Sequence, residues 1–432
     1  MINSLQGIAN KARQNGKYRF KNLYTMIDKE FLLEAWGGLN KKAAPGADKV
    51  TFKEYEKNLS KNLDDLVERL KNKKYRSQKV RRVYISKGNG KMRPLGILAL
   101  EDKIVQKAAA MILSAIYEQD FLPISYGYRL GKNARKAVTD LTKTLQFGNV
   151  RYVVEADIKG FFDNLDHDIL IKMLEMRIND SAFIRLIKKW LMAGILEPGN
   201  FVINPATGTP QGGIVSPVLA NIYLHYGLDM WFEKIIKPQS KGKACLYRYA
   251  DDFVCVFQKQ EDAKMCYERL PVRLERFKLE LAMEKTKILK FNKYERESSK
   301  RFDFLGFEFY VDESWKGKAG IKRRTSRGKL RKALLNFKEW IKENRSNKTS
   351  KIIETLNRKL RGYFNYYGII GNSKSLATYF NYVKMILHKW LNRRSQRKSY
   401  TYKQFNLLVK RMLYVKPRIN EKIDRQLNFS WT

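Results

Sequence analysis

Cysteine and histidine are scarce in this chain of 432 residues. It contains only three of each, and neither set shows the paired spacing of a zinc site. Three unpaired cysteines (Cys245, Cys255 and Cys266) also argue against a disulfide framework. This cysteine usage is typical of a protein from a reducing compartment.

Long apolar runs are also missing. No segment approaches the roughly 18 consecutive apolar residues that a membrane-spanning helix needs. The first 20 residues lack the apolar core of a signal peptide. The sequence therefore predicts a soluble, intracellular protein with no membrane partner.

Acidic residues are half as frequent as basic ones. The chain has 86 Lys and Arg against 43 Asp and Glu, a net charge of +43. Residues 316–432 hold 31 of the basic residues and only 5 of the acidic ones, so the acids are concentrated in the first 315 residues. Such a charge indicates a polyanionic partner. An anionic membrane is disfavoured because no basic stretch alternates with a strongly amphipathic face.

The apolar and aromatic residues that are present, 44% and 12% of the chain, are enough for folded cores. Their spacing predicts helices between Leu23 and Lys74, broken by the turn-rich segment 43–48. A hairpin is expected over 79–98 and a buried helix over 100–117. Further predictions are listed in chain order: a strand at 151–157, helices at 166–178, 181–192 and 217–236, a hairpin at 245–257, a helix at 261–279, strands within 286–311, and only helices from 328 onward.

Two strand ends carry aspartates. Asp157 ends an apolar strand, and Asp251 and Asp252 occupy the turn of the 245–257 hairpin. Joining nucleotides requires two divalent cations held by carboxylates from neighbouring strand ends. Each aspartate alone is weak evidence because Asp is common in turns and caps. Asp163, Asp166 and Asp168 are interpreted as helix-start residues only.

Taken together, these segments resemble the reverse transcriptases encoded by group II introns. YADD (249–252) is similar to the Tyr-X-Asp-Asp signature of that family, and DIKGFF (157–162) to its first aspartate motif. TPQGGIVSP (209–217) resembles the nucleotide-pocket motif in its group II intron form. The resemblance runs in order from about residue 23 to 390.

The resemblance implies an RNA-directed DNA polymerase of α+β class, shaped as a right hand. Fingers and palm would combine an antiparallel sheet with helices, and the thumb would be all-helical. The expected domains are an N-terminal extension (1–22), fingers and palm (23–312), a thumb or maturase domain (313–398) and a short basic segment (399–432).

The resemblance also assigns ligands. Asp157, Asp251 and Asp252 would be catalytic and, with Ile158, would hold two Mg²⁺ ions, with Mn²⁺ as the alternative. The partners would be an RNA template, a DNA primer, the RNA/DNA hybrid, dNTPs and structured intron RNA. The implied location is the bacterial cytoplasm, in association with the nucleoid or a ribonucleoprotein.

Residues around the aspartates receive roles in nucleotide binding. Lys87 and Arg93 flank the hairpin turn, and by resemblance they reach the triphosphate. The point charge of a lysine and the bidentate fork of an arginine both suit phosphate. By resemblance Phe162 would lie under the sugar, where a ring would exclude a 2′-hydroxyl. The remaining expected nucleotide-binding residues are Gln211, Gly212 and Lys285.

Two further sets would contact nucleic acid. Phe304, Leu305 and Gly306 fall where the family has its primer grip. RGYFNYY (361–367) and WLNRR (390–394) resemble maturase-domain elements, and their interleaved aromatic and basic residues suit RNA. The residues named from them are Arg361, Tyr363, Arg393 and Arg394, although about half of the rings are expected to be core.

The chain departs from many relatives because no cysteine follows Cys266. We therefore expect no zinc-dependent endonuclease. No ribonuclease H domain is expected either, because no extra acidic α/β segment is evident. Three functions stay open at this point: an intron-encoded reverse transcriptase and maturase, a domesticated or defence-associated reverse transcriptase, and a non-catalytic RNA-binding splicing factor. The intact aspartates argue against the last.

Overall fold

The computed structural model describes residues 4–88, 91–199, 201–203, 206–209, 212–313, 317–394, 399–413 and 415–421, with backbone only at 86–88 and 91. Within these ranges, no helix is both long and apolar enough to cross a membrane. Cys245, Cys255 and Cys266 are free thiols.

More of the described residues lie in helices than in strands. The bounds of the helices are α1 Leu5–Gln14, α2 Lys29–Gly37, α3 Phe52–Glu56, α4 Leu59–Lys71, α5 Leu100–Tyr117, α6 Ala134–Phe147, α7 His167–Glu175, α8 Ser181–Leu191, α9 Ser216–Leu224, α10 Lys237–Gln239, α11 Gln260–Glu275, α12 Arg327–Asn344, α13 Thr349–Tyr367, α14 Ser373–Leu391 and α15 Tyr402–Met412.

The strands form three sheets. Their bounds are β1 Val80–Gly88, β2 Lys91–Ile97, β3 Tyr152–Ala156, β4 Ile195–Leu196, β5 Val202–Ile203, β6 Ala244–Tyr249, β7 Asp252–Phe257, β8 Lys287–Lys290, β9 Phe302–Phe304, β10 Phe307–Glu313 and β11 Ala319–Thr325. The strand orders are β2-β1-β4-β5, β6-β7-β3-β8 and β11-β10-β9. Pairing is antiparallel between β1 and β2, with Val83 opposite Leu95, and parallel between β1 and β4.

The chain divides into two compact units. The first comprises 1–133, 156–255 and 261–287, and the second comprises 134–155, 256–260 and 288–432. The borders cut through β3, β7, β8 and α11. The three domain boundaries expected from the sequence stay predictions.

Local chemistry explains where several helices begin. Asp166 accepts a hydrogen bond from the Ile169 amide and caps α7, as expected of a helix-start residue. Asp168 lies in the first turn of the same helix, and Asp163 lies in a short 3-10 turn just before it. Capping boxes start α3, at Thr51, and α15, at Thr401.

The core of the first unit is built on α5, the helix predicted over 100–117. Ile104, Ala108 and Ile112 are fully buried, as their spacing predicts. Met111 and Ala115 are only half-buried. The second unit has its own core, in which residues of α12, α13, α14 and α15 pack together.

The helix predicted at 217–236 is continuous, but its pitch changes twice. After α9, residues His225–Asp229 and Phe232–Ile236 form π-helical turns before α10. Such turns rotate the side chains that follow and are frequent at functional sites. Here the first of them leaves Asp229 completely buried.

The α+β class with antiparallel sheets is confirmed. The sequence did not anticipate α6, the two-residue strands β4 and β5, or β11, which lies beyond residue 312 in the segment expected to be helical. Helical structure from Arg327 onward matches the prediction made for residues from 328.

The stability of the first unit depends on pH through one buried carboxyl group. Asp102 on α5 is 1% exposed and accepts hydrogen bonds from the Tyr75 hydroxyl and from the Gln78 amide, the latter at 2.9 Å. Burial raises the pKa of Asp102 to about 6. This pKa is above the unfolded value of 3.8. The protonated Asp102 carboxyl group therefore contributes fully to the free energy of unfolding below about pH 4, and this contribution is lost as the pH rises through 6.

We therefore expect wild type to gain stability relative to Asp102→Asn as the pH is lowered. Between pH 7.5 and pH 5 the difference in free energy of unfolding should move by about 1.4 kcal/mol in favour of wild type. Urea unfolding of both proteins across this range measures it. A difference that does not change with pH would show that Asp102 does not titrate there.

Candidate active site

The turn between β6 and β7 presents the first pair of carboxylates. Ala250 has a φ of +55°, a left-handed conformation that a non-glycine residue adopts only when its surroundings hold it there. Asp251 follows in the turn, half-buried, and Asp252 is exposed at the first position of β7. Buried Phe253, Val254 and Cys255 then fix β7 in the core.

Asp157 follows the end of β3, as predicted. Its carbonyl accepts a hydrogen bond from the Ala282 amide at 2.8 Å, and Ile158 forms an isolated bridge with Leu281. Ile158 is itself 3% exposed, so its side chain belongs to the core. The segment 281–282 therefore fixes the backbone at Asp157 and Ile158.

Asp157 lies close enough to Asp251 for the two charges to interact. Burial raises the pKa of Asp251, and the neighbouring Asp157 carboxylate raises it further. Arg93 and Arg248 act in the opposite direction. A bound cation would reduce the repulsion between two such carboxylates at strand ends.

Lys285 supplies a cation to this site. Its Nζ lies 2.5 Å from Oδ2 of Asp157. This hydrogen bond is the main reason why the pKa of Lys285 is raised, and Asp252 contributes in the same direction. Lys285 and Asp157 therefore form an ion pair, and Asp252 acts electrostatically on the same ammonium group. The nucleotide-binding role expected of Lys285 stays a prediction.

The structure describes only some of the remaining nucleotide-binding candidates. Arg93 is exposed on β2 and acts electrostatically on Asp251. The side chain of Lys87 and the whole of Gln211 lie outside the described residues. Gly212 has a φ of +117°, and a Cβ there would lie 2.3 Å from the Gly96 carbonyl oxygen, so this backbone approach requires glycine.

Phe162 lies in the short 3-10 turn after Asp157 and is half-buried. Its ring meets that of Phe161 edge-on, with centroids 5.3 Å apart. It also lines a cavity of about 270 Å³, together with Pro94, Gly96 and Thr209. Phe161 is the core ring of the pair, at 2% exposure.

In the second unit, Phe304, Leu305 and Gly306 form the tight turn between β9 and β10. Leu305 and Gly306 have φ values of +50° and +78°, the pattern of a two-residue hairpin turn. The Tyr366 hydroxyl donates to the Leu305 carbonyl at 2.9 Å, and the Ser326 amide donates to the Gly306 carbonyl at 3.0 Å. Phe304 is buried.

The expected nucleic-acid contacts of the second unit differ in exposure. Arg361 and Arg393 are exposed, and the Arg393 guanidinium lies over the Trp390 ring at 5.6 Å. Arg394 is half-buried and donates to the Thr349 hydroxyl at 2.9 Å. Tyr363 is stacked on Tyr379, with ring centroids 3.8 Å apart, so one face of its ring is covered.

Two residues near the aspartates, Arg248 and Tyr128, were not predicted from the sequence. Arg248 is fully buried in β6, three residues before Asp251. Tyr128 has a φ of +56°, lies near Tyr249 with ring centroids 6.4 Å apart, and has a pKa raised by burial and by Asp251. The only sequence signal for Arg248 was a charged residue inside an otherwise apolar strand.

Carboxylates are the ligands that hard divalent cations prefer, and Asp157, Asp251 and Asp252 provide such a set. Among the described residues, no group of three acidic, His or Cys side chains is already arranged as a metal site. The site nevertheless attracts cations. Asp157 and Asp251 are like charges that act on each other, and Asp157 already holds the ammonium group of Lys285.

Carboxylates at neighbouring strand ends are typical of the nucleic-acid polymerase class of proteins. Residues 85–309 match the family described as reverse transcriptase (RNA-dependent DNA polymerase), and residues 330–407 match the group II intron maturase-specific domain. The chain belongs to the reverse transcriptase family, in its group II intron-encoded reverse transcriptase and maturase branch.

Individual relatives support this assignment. The chain is 33% identical over 400 residues to the group II intron-encoded protein LtrA of Lactococcus lactis subsp. cremoris, covering 74% of this chain and 65% of LtrA. It is 35% identical over 317 residues to protein YkfC of Escherichia coli K12, covering 65% of this chain and 82% of YkfC. A putative COX1/OXI3 intron 1 protein of Saccharomyces cerevisiae is 33% identical over 216 residues, which is 50% of this chain and 25% of that protein.

Proposed function

We propose that this chain is an RNA-directed DNA polymerase that extends a primer 3′-hydroxyl with dNTPs on an RNA template. The observation that carries the proposal is that β3 and β7 are neighbours in one sheet, with Asp157 directly after β3 and Asp251 directly before β7. The Asp157 carboxylate also raises the pKa of Asp251. Membership of the reverse transcriptase family supports the same chemistry. Primer extension on an RNA template, with and without Mg²⁺, tests it.

In this proposal Asp157, Asp251 and Asp252 hold two Mg²⁺ ions, or Mn²⁺ in their place. When bound, such ions stabilise charge on the attacking and leaving oxygens of an in-line displacement. Charge complementarity argues that Arg93, Lys87 and Lys285 receive the triphosphate. Arg93 already acts on Asp251, and Lys285 already pairs with Asp157, so two of these cations lie beside the carboxylates.

Phosphate contacts in the second unit would hold the template and the RNA/DNA hybrid. Residues 316–432 carry a net charge of +26, and Arg361 is exposed on α13. Each Lys or Arg that neutralises a phosphate releases counterions, and so steepens the salt dependence of binding.

We expect Arg361→Gln to reduce the slope of log K against log salt by about 0.7 to 0.9 in magnitude, with a hybrid duplex as the ligand. Lys322→Gln is the matched control because Lys322 in β11 is already paired with Asp312 at 2.9 Å. Fluorescence anisotropy at several salt concentrations measures both slopes. Equal slopes for wild type and Arg361→Gln would exclude this phosphate contact.

We also propose that the chain binds structured intron RNA as a splicing maturase, within a ribonucleoprotein. The match of residues 330–407 to the maturase-specific domain favours this role. Similarity to LtrA, described as a group II intron-encoded protein, supports it. A comparison of affinities for a folded group II intron RNA and for an unstructured RNA of equal length tests the proposal, and equal affinities would oppose it.

A further inference from the structure

A buried polar network lies behind the β6–β7 turn of the first unit. At its centre are Arg248 of β6 and Asp229 at the end of the first π-helical turn, and both are 0% exposed. Nε and one terminal nitrogen of Arg248 each donate to Asp229 at 2.6 Å, so the pair is bidentate.

Every donor of the Arg248 side chain has an acceptor. An arginine carries five N–H groups in a fixed fork, and two of them go to Asp229. The other three go to Oδ1 of Asn221 at 3.0 Å, to the hydroxyl of Ser125 at 2.8 Å and to the carbonyl of Ala250 at 3.1 Å. A lysine has three donors and no fork, so it could not make this set.

The network acts on Ala250 from two directions. Arg248 binds the Ala250 carbonyl directly. Asn221, which contacts Arg248, also donates to the Gly127 carbonyl at 2.7 Å. Gly127 packs so tightly that a Cβ on it would lie 2.4 Å from the Ala250 amide nitrogen.

Backbone pairing adds a third connection. The Arg248 amide donates to the Ile124 carbonyl at 2.9 Å, and the Tyr126 amide donates to the Arg248 carbonyl at 2.8 Å. The loop that carries Ser125 and Gly127 is therefore fixed along β6. Loop, strand and π-helical turn converge on the residue that precedes Asp251.

A buried ion pair contributes little net stability compared with well-packed apolar residues, because desolvation offsets the attraction. What a fully hydrogen-bonded pair can fix is one conformation among several. The conformation at issue here is the left-handed backbone of Ala250, which is unfavourable for alanine in isolation.

We propose that Arg248, held by Asp229, Asn221 and Ser125, is a positioning residue that fixes the Ala250 backbone and so aims the Asp251 carboxylate. This inference rests on the proposed polymerase function for its catalytic consequence. The structural consequence, a rigid turn at 249–252, is independent of that function. The two consequences can therefore be measured separately.

The test compares Arg248→Lys with Arg177→Lys. Arg177 is a matched control in the same unit, since it is 2% exposed, pairs with Asp120 at 2.9 Å and donates to backbone carbonyls of the N-terminal segment. Hydrogen–deuterium exchange by mass spectrometry is the readout that needs no activity. We expect faster exchange of peptides over 247–253 in Arg248→Lys, and unchanged exchange there in Arg177→Lys.

Primer extension provides the second readout. We expect kcat of Arg248→Lys to fall about tenfold to hundredfold, because a small misplacement of a reacting group is costly. KM for dNTP should change less than about threefold, since substrate binding is not what the turn supplies. Asn221→Ala removes contacts to both Arg248 and Gly127, and should show the same two effects if Arg248→Lys does not fold.

Exchange over 247–253 that is the same in Arg248→Lys, or in Asn221→Ala, as in Arg177→Lys would overturn the proposal. So would a fall in kcat shared equally by the control. If wild type extends no primer, the polymerase function fails, while the exchange comparison still decides whether Arg248 fixes the turn.

Discussion

Asp251→Asn is expected to abolish Mg²⁺-dependent primer extension, lowering kcat by at least about 10³-fold. The substitution keeps the size of the side chain but removes its charge and replaces one acceptor oxygen by an NH2 donor. In the proposed mechanism that charge holds a divalent cation at the reacting phosphate. Single-turnover extension of a DNA primer on an RNA template, at saturating dNTP, measures the effect.

The same variant should be at least as stable as wild type. Burial and the Asp157 carboxylate both raise the pKa of Asp251, which means that its ionised form is unfavourable in the folded protein. Removal of the charge relieves this repulsion. We therefore expect the Tm of Asp251→Asn to be equal to or above that of wild type, the pattern of a residue kept for activity at a cost in stability.

Asp168→Asn provides the control. Asp168 is an exposed carboxylate in the first turn of α7, with no part in the proposed site, so this variant should extend primers at the wild-type rate. Full activity in Asp251→Asn would exclude Asp251 as a metal ligand. Loss of activity together with a large fall in Tm would indicate unfolding instead.

Phe162→Ala is expected to raise the incorporation of ribonucleotides relative to deoxynucleotides by about tenfold or more. Phe162 lines a cavity in the first unit beside Pro94 and Gly96, and its backbone is fixed by a 2.8 Å hydrogen bond from the Thr209 amide to its carbonyl. Truncation therefore removes the ring without displacing the chain. If the ring lies under the sugar, its loss opens room for a 2′-hydroxyl.

The ratio of kcat/KM for rNTP and dNTP, measured on one primer–template, is the decisive quantity. Phe147→Ala is a suitable control because its ring is exposed at the end of α6, and its ratio should equal that of wild type. An unchanged ratio in Phe162→Ala would remove the steric role. A general loss of activity at constant ratio would assign Phe162 to packing, as its neighbour Phe161 already is.

Local patterns predicted much of the fold. The hairpin at 79–98, the buried helix at 100–117, the β6–β7 hairpin and the helices from 327 onward follow from periodicity and turn residues that act within one segment. The strands β4 and β5 are too short to leave such a pattern, and β11 mixes Lys and Arg with Ile. What makes β11 a strand is its pairing with β10, a contact that local spacing does not encode.

The sequence by itself was enough to predict that aspartates lie at strand ends and that the net charge favours a nucleic-acid partner. It was also enough to show the resemblance to group II intron reverse transcriptases. These depend on residue types and on spacing along the chain. Tertiary structure alone decided that Lys285 pairs with Asp157, that Asp157 raises the pKa of Asp251, and that Arg248 joins Asp229 behind the turn. Each of these connects residues far apart in sequence, and their energies depend on distance and burial, which the folded chain sets.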